Sequence, residues 1–201
     1  MNIIVIGNGF DLAHGLPTKY TDFLEFVKVL KIVLEEKNEN YDCIDRCNIN
    51  VQIKTILKEN IAQQIEQWKN LLNDIFWIEY FLQNDMHGKE NWIDFENEIS
   101  NLIQSLHMDM YEKGNVSSMY EEIGIYFSND FLENYTNITS SKRFGIYKDI
   151  KDKLYNDLNK LIKALEIYLY YYVNKIKCEK KSPDIQEIIA NKDTCIIIQI
   201  Q

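Results

Sequence analysis

The chain has 201 residues, of which 46% are hydrophobic and 26% are charged, and its formal net charge at pH 7 is -9. This composition is ordinary for a globular protein, and the acidic balance does not favour salt-dependent binding to DNA or RNA, which needs a basic surface. Because no apolar run approaches the roughly 20 residues of a membrane span and the N-terminus lacks the regions of a signal peptide, we expect a cytoplasmic protein without a membrane partner.

A short apolar run over residues 3–6 opens the chain and is followed directly by Gly7, Asn8 and Gly9. Such a run is typical of a strand that is buried on both faces of a parallel sheet. Glycines allow a tight turn and let a ligand approach the backbone, so this order of residues predicts a cradle of amides for a phosphate. The alternative is a plain strand-to-helix turn without a ligand.

The spacing of the glycines excludes two known phosphate-binding motifs and is similar to a third. Leu12 stands where the dinucleotide pattern G-x-G-x-x-G needs its third glycine, and nothing fits the Gly-Lys-Ser/Thr of a P-loop. Gly7-x-Gly9 is instead followed, after five residues, by Gly15-Leu16-Pro17. This pattern resembles the first NAD-binding loop of the sirtuin-type fold, which reads G-A-G-x-S and then G-I-P. The longer run GNGFDLAHGLPTKYTDFL resembles the opening signature of the AbiH family of bacteriophage abortive infection proteins.

Most of the remaining chain is predicted to be helical. Apolar residues recur at helical spacing in five segments, which are residues 21–34, 53–82, 92–106, 119–127 and 150–173. The stripe predicted to face the core in the first segment consists of Phe23, Phe26, Val27, Leu30 and Leu34. The longest stripe, in the last segment, consists of Ile150, Leu154, Leu158, Leu161, Leu165, Tyr168, Tyr172 and Val173. Polar stretches predict loops at residues 35–50 and 134–145. Ser182 and Pro183 indicate the start of a short last helix, which runs to residue 189.

Residues 194–200 form an apolar run with strong β character. The predicted fold class is therefore α/β: a Rossmann-like (sirtuin/DHS-type) parallel-sheet fragment with a large, predominantly helical insertion. We divide one AbiH-like domain, residues 1–201, into a strand and glycine loop (1–20), a helical block (21–190) and a second core strand (194–200). The resemblance implies further strands beyond residue 201, so we interpret the chain as truncated: a natural truncation, a frameshift product or an engineered fragment.

The resemblance implies that the glycine loop binds NAD or another nucleotide, through Gly7, Asn8, Gly9, Phe10, Asp11, Gly15 and Thr18. His14 lies in the same loop and titrates near neutrality, so it could act as a general acid or base; the alternative is a histidine bonded to the backbone. Asp11 replaces the serine of the sirtuin loop and is the second catalytic candidate. A carboxylate beside a phosphate is unfavourable, so Asp11 would face a sugar hydroxyl or a metal, or it would cap the following turn.

Trp92, Asp94 and Glu96 resemble a second AbiH signature, a tryptophan followed by two acidic residues ahead of a helix. Residues two apart on a helix point to different sides, so the carboxylates could converge only at the helix N-terminus. There they could hold a divalent metal; the alternative is a helix cap with a packed tryptophan. Cys43 and Cys47 have no second cysteine pair or histidine nearby, so we predict reduced thiols and no metal site.

Three functional hypotheses follow. The first is an antiphage protein that hydrolyses or senses a nucleotide of the NAD class. The second is a non-catalytic helical module that recognises a phage component, and the third is an inactive, truncated family member. For the tyrosines at 168 and 170–172, packing or an interface is preferred to base stacking because adjacent side chains point around a helix.

Overall fold

A computed structural model describes residues 2–6, 15–35, 41–83, 95–108, 143–176 and 195–199. Its elements are β1 (Asn2–Ile6), α1 (Tyr20–Glu35), α2 (Cys43–Arg46), α3 (Val51–Leu72), α4 (Phe76–Gln83), α5 (Phe95–Met108), α6 (Arg143–Ile167) and β2 (Cys195–Gln199). A π-helical segment, Tyr168–Tyr172, and a 3-10 turn, Val173–Lys175, continue α6. The helices predicted at residues 119–127 and 182–189 lie outside these ranges.

The predicted Rossmann-like sheet is wrong for the residues that the structure describes, because they are predominantly helical. Their strands are limited to β1 and β2, which pair in parallel with Asn2 opposite Cys195 and Ile6 opposite Gln199. Two five-residue strands do not constitute the successive strand–helix–strand units of a Rossmann-like fold. The prediction extrapolated from one strand–glycine motif to a whole sheet, although helical periodicity dominates the sequence between the strands.

Three predicted boundaries also need correction. The predicted loop at residues 35–50 contains α2, and α6 begins at Arg143 within the predicted loop at 134–145. The helix predicted over residues 53–82 is interrupted, because α3 ends at Leu72 and α4 begins at Phe76. Asp74 between them adopts a positive φ of 54°, a left-handed conformation that ends a helix.

Contacts divide the chain into two compact units, and the first comprises Met1–Ile65 and Leu165–Gln201. Its described core is organised around α1. The apolar face of α1 is wider than the predicted stripe, with buried Phe23, Leu24, Phe26, Val27, Val29, Leu30 and Val33. The Phe26 ring packs against two tyrosines of the π-helical segment, with centroid distances of 4.9 Å to Tyr168 and 4.7 Å to Tyr172.

The second unit comprises Glu66–Ala164, and aromatic residues of α4 dominate its described core. Trp77 is completely buried, and its indole Nε1 donates a hydrogen bond to the Leu154 carbonyl at 2.9 Å. The rings of Phe81 and Phe95 stack with their centroids 4.0 Å apart, which joins α4 to α5. None of the described helices combines the length and apolar character that crossing a membrane requires.

Candidate functional site

The structure describes only part of the predicted ligand site. Gly15 and Thr18 are described, whereas the other loop candidates lie outside the described residues: Gly7, Asn8, Gly9, Phe10, Asp11 and His14. In the second predicted group, Glu96 is exposed in the first turn of α5, and Trp92 and Asp94 lie outside. The roles of these residues therefore stay predictions, and the described geometry concerns the end of the glycine-rich segment.

The segment from Gly15 to Lys19 connects the glycine loop to α1 through a tight turn. Gly15 is exposed and has a φ of +74°, a conformation that favours glycine because it has no Cβ atom. The Thr18 amide donates to the Leu16 carbonyl at 3.0 Å, which closes a three-residue turn centred on Pro17. Pro17 is buried, so the connection enters the core of the first unit immediately after Gly15.

Tyr168, which is 151 residues away from Pro17 in the sequence, forms a hydrogen bond with this connection. Its hydroxyl donates a hydrogen bond to the Pro17 carbonyl at 2.7 Å, and its side chain is completely buried. Phe23 and Phe26 flank the ring with centroid distances of 5.6 Å and 4.9 Å. Burial, together with the nearby carboxylate of Asp22, raises the pKa of Tyr168 far above its ordinary value. The raised pKa favours the protonated phenol, which is the form that donates to the Pro17 carbonyl.

Asp22 caps the start of α1. Its Oδ2 accepts a hydrogen bond at 3.1 Å from the backbone amide of Lys19, three residues earlier, as in the reciprocal half of a capping box. Burial raises the pKa of Asp22, while this hydrogen bond and the charge of Lys19 partly offset the rise. The cap therefore places a partly desolvated carboxylate close to the Tyr168 hydroxyl that holds Pro17.

We expect Asp22→Asn to be at least as stable as the native chain near neutral pH, because asparagine retains an acceptor and carries no charge. The pKa of Asp22 in the folded state lies above its ordinary value of 3.8, so the folded protein binds this proton more tightly than the unfolded chain. The resulting stabilisation is complete below pH 3.8 and is lost as the pH rises through the folded-state pKa.

Urea unfolding from about pH 3 to about pH 7 checks this prediction. The stability of Asp22→Asn relative to the native chain should increase over the pH range in which Asp22 ionises. Exposed Asp42, replaced by asparagine, is the control for removing one negative charge. A native-to-Asp22→Asn difference that stays constant across the series would contradict the linkage.

A charged cluster around the buried Asp157 in the second unit was not predicted from the sequence. Lys153, Asp157 and Lys160 lie on one face of α6, at positions i, i+4 and i+7, and Asp157 is 2% exposed. The Asp157 carboxylate accepts a hydrogen bond from the Phe76 amide at 3.0 Å and pairs with Lys153 Nζ at 2.8 Å. The ammonium of Lys153 also donates to the Asp74 carbonyl at 2.9 Å.

This charged cluster supports the interruption between α3 and α4. Lys153 and Lys160 supply donors to carbonyls at the end of α3, the latter to Asn73 at 3.3 Å, and Asp157 supplies the acceptor for the first amide of α4. Helix ends need such partners, so the arrangement is accounted for without a ligand. A charged triplet at i, i+4 and i+7 within the apolar stripe of α6 was the available signal.

The cysteines and tyrosines have described partners as well. Cys47 Sγ donates to the Cys43 carbonyl at 3.2 Å, and neither Cys43 nor Cys47 forms a disulfide. Within the described ranges, no three His, Cys, Asp or Glu side chains are grouped so that they could hold a metal ion. Tyr168 and Tyr172 are buried in the core, whereas the rings of Tyr170 and Tyr171 are exposed and meet edge to face at 4.9 Å.

Taken together, the described residues define a predominantly helical protein whose glycine-rich N-terminal segment is fastened to its helical core. The family model for bacteriophage abortive infection AbiH matches residues 3–199, nearly the whole chain. The chain therefore belongs to the AbiH family, and the resemblance predicted from its opening signature is confirmed. Comparisons with curated proteins and with solved structures give no match.

Proposed function

We propose that this chain acts in antiphage abortive infection by binding a nucleotide of the NAD class at the glycine-rich segment. Membership of the AbiH family, over residues 3–199, carries the antiphage part of this proposal. The nucleotide part rests on the spacing of Gly7-x-Gly9 and Gly15-Leu16-Pro17, and the amides at residues 7–9 would hold the pyrophosphate. It does not depend on a Rossmann-like sheet.

The described end of this segment supports the proposal in two ways. Gly15 adopts the left-handed conformation that glycine allows, and Pro17 is fixed by a buried hydrogen bond. A loop whose exit is held in place loses less conformational entropy when it binds a ligand. In the catalytic version, His14 or Asp11 would assist loss of nicotinamide by activating water or polarising the ribose. Depletion of a shared cofactor would then stop the growth of infected cells.

Replacing Gly9 by valine tests the nucleotide proposal, because two methyl groups would block the approach of a phosphate to the backbone. We expect Gly9→Val to abolish NAD binding and phage protection while thermal unfolding and circular dichroism stay close to those of the native chain. Gly145→Val is the matched control: Gly145 is exposed in the first turn of α6, and a Cβ atom there would meet nothing within 4 Å.

The result that would overturn the nucleotide proposal is a folded Gly9→Val chain that still protects cells fully. The NAD content of infected cells separates the remaining versions of the proposal. A fall in NAD that requires Gly9 would support hydrolysis, whereas unchanged NAD beside full protection would eliminate the NAD-consuming version and leave sensing.

A non-catalytic module that recognises a phage component is the second candidate. The observation in its favour is the exposed aromatic pair at the end of α6, where Tyr170 is 66% and Tyr171 is 41% exposed. Exposed tyrosines are enriched at protein interfaces because they combine a large apolar ring with a polar tip. This candidate requires that Gly9→Val retain protection, which is the opposite of the result expected for nucleotide binding.

A further inference from the structure

We infer that Tyr168 is the positioning residue of the glycine-rich segment: by holding the Pro17 carbonyl, it fixes where that segment joins the core of the first unit. The consequence for ligand binding rests on the proposed function: Tyr168 would hold the ligand loop in a conformation that binds the nucleotide.

The first step is the hydrogen bond itself. Tyr168 and Pro17 are separated by 151 residues, and both are buried where the hydroxyl meets the carbonyl at 2.7 Å. A buried polar group without a partner is costly, so each group selects the conformation in which the other is reachable. The carbonyl lies two residues after Gly15, so this bond restrains the backbone immediately beyond the proposed phosphate cradle.

The second step is the helical geometry that presents the hydroxyl. At Tyr168, α6 changes to a π-helical segment, in which the Val173 amide reaches back to the Tyr168 carbonyl. An extra residue in a turn alters which side chains face the core, and such π turns occur frequently at functional sites. In this segment Tyr168 and Tyr172 are both fully buried against Phe26, while the two tyrosines between them are exposed.

Tyr172, in the same π-helical segment, bonds a different partner from Tyr168. The Tyr172 hydroxyl donates to the Gln64 side chain of α3, so this bond joins the π-helical segment to α3 and not to Pro17. Both tyrosines pack on Phe26 and both use the hydroxyl as a donor. Removing one hydroxyl or the other therefore changes the core in nearly the same way, but only the Tyr168 change releases Pro17.

Tyr168→Phe and Tyr172→Phe are consequently a matched pair for the experiment. The purified full chain would be followed by thermal unfolding, by hydrogen exchange of the backbone amides of Gly15, Leu16 and Thr18, and by calorimetric titration with NAD. We expect similar falls in Tm for the two variants. Tyr168→Phe alone should accelerate exchange at Thr18, whose amide bonds to Leu16, and should weaken NAD binding about fivefold to tenfold.

Each outcome has a defined meaning. Equal exchange at residues 15–18 in the two variants would overturn the positioning role, because Tyr168 would then be a structural residue like Tyr172. Faster exchange in Tyr168→Phe with NAD affinity equal to that of the native chain would overturn its role in presenting the loop. A native chain that binds no NAD would defeat the proposed ligand, while the exchange measurement would still decide whether Tyr168 fixes the segment.

Discussion

Replacing Asp157 by alanine is expected to lower the free energy of unfolding by about 3 kcal/mol or more, because it removes the acceptor of the buried Phe76 amide and one of the two carboxylates that pair with Lys153. Asp157 is 2% exposed and accepts hydrogen bonds from the Phe76 amide and from the ammonium of Lys153. The alanine variant loses the cap of α4 and uncovers a desolvated positive charge that is 12% exposed. Asp74, 3.0 Å from that charge, offsets only part of the loss.

Urea denaturation of the variant and of two controls measures this effect. Asp152→Ala removes an exposed carboxylate from the same helix and should change the stability by about 0.5 kcal/mol or less. Asp157→Asn keeps an acceptor for the Phe76 amide but not the charge opposite Lys153, so its stability should be intermediate. If Asp157→Ala were as stable as Asp152→Ala, the cluster would have no part in holding the helix interruption.

Replacing Phe26 by alanine is expected to lower the free energy of unfolding by about 3 to 5 kcal/mol, the range found for removing a fully buried phenylalanine. The Phe26 ring is 0% exposed and lies between α1 and the π-helical segment, within 5 Å of both buried tyrosine rings by centroid distance. The substitution would leave a cavity beside Tyr168 and would remove the aromatic contacts that hold Tyr168 in place.

Ile32→Ala is the control on the same helix, since Ile32 is 39% exposed and its truncation should cost about 1 kcal/mol or less. Thermal and urea unfolding compare the stability of the two variants, and hydrogen exchange shows which parts of the backbone lose protection. An effect of Phe26→Ala no larger than that of Ile32→Ala would mean that the core of the first unit is not organised around this ring.

The sequence predicted the helices best where apolar spacing was regular. In α1 the residues predicted to face the core include Phe23, Phe26 and Leu30, and all three are buried. The prediction was weaker along α6, where Leu158 and Leu165 are only half-buried and Asp157 lies in the core. Periodicity identifies a helical face, but it does not show that a carboxylate on this face will find partners 81 residues away.

The predicted fold class was wrong for a related reason. A strand followed by glycines has the same local pattern in many folds, so Gly7 and Gly9 could suggest a phosphate cradle but not the sheet around it. Helical spacing placed Tyr168 and Tyr172 on the apolar stripe, apart from Tyr170 and Tyr171, and both are buried. The hydroxyl of Tyr168 could still not be assigned to Pro17, because periodicity does not show which distant group a buried hydroxyl will bond.

Both long-range hydrogen bonds also determine when each unit can be completed during synthesis. The first amide of α4 depends on Asp157, and the turn at Pro17 depends on Tyr168, so residues near the N-terminus wait for partners that the ribosome adds late. Until α6 has emerged, the large aromatic side chains of α4 and α1 lack their final neighbours. Contacts of such large sequence separation slow folding relative to a bundle of consecutive helix hairpins.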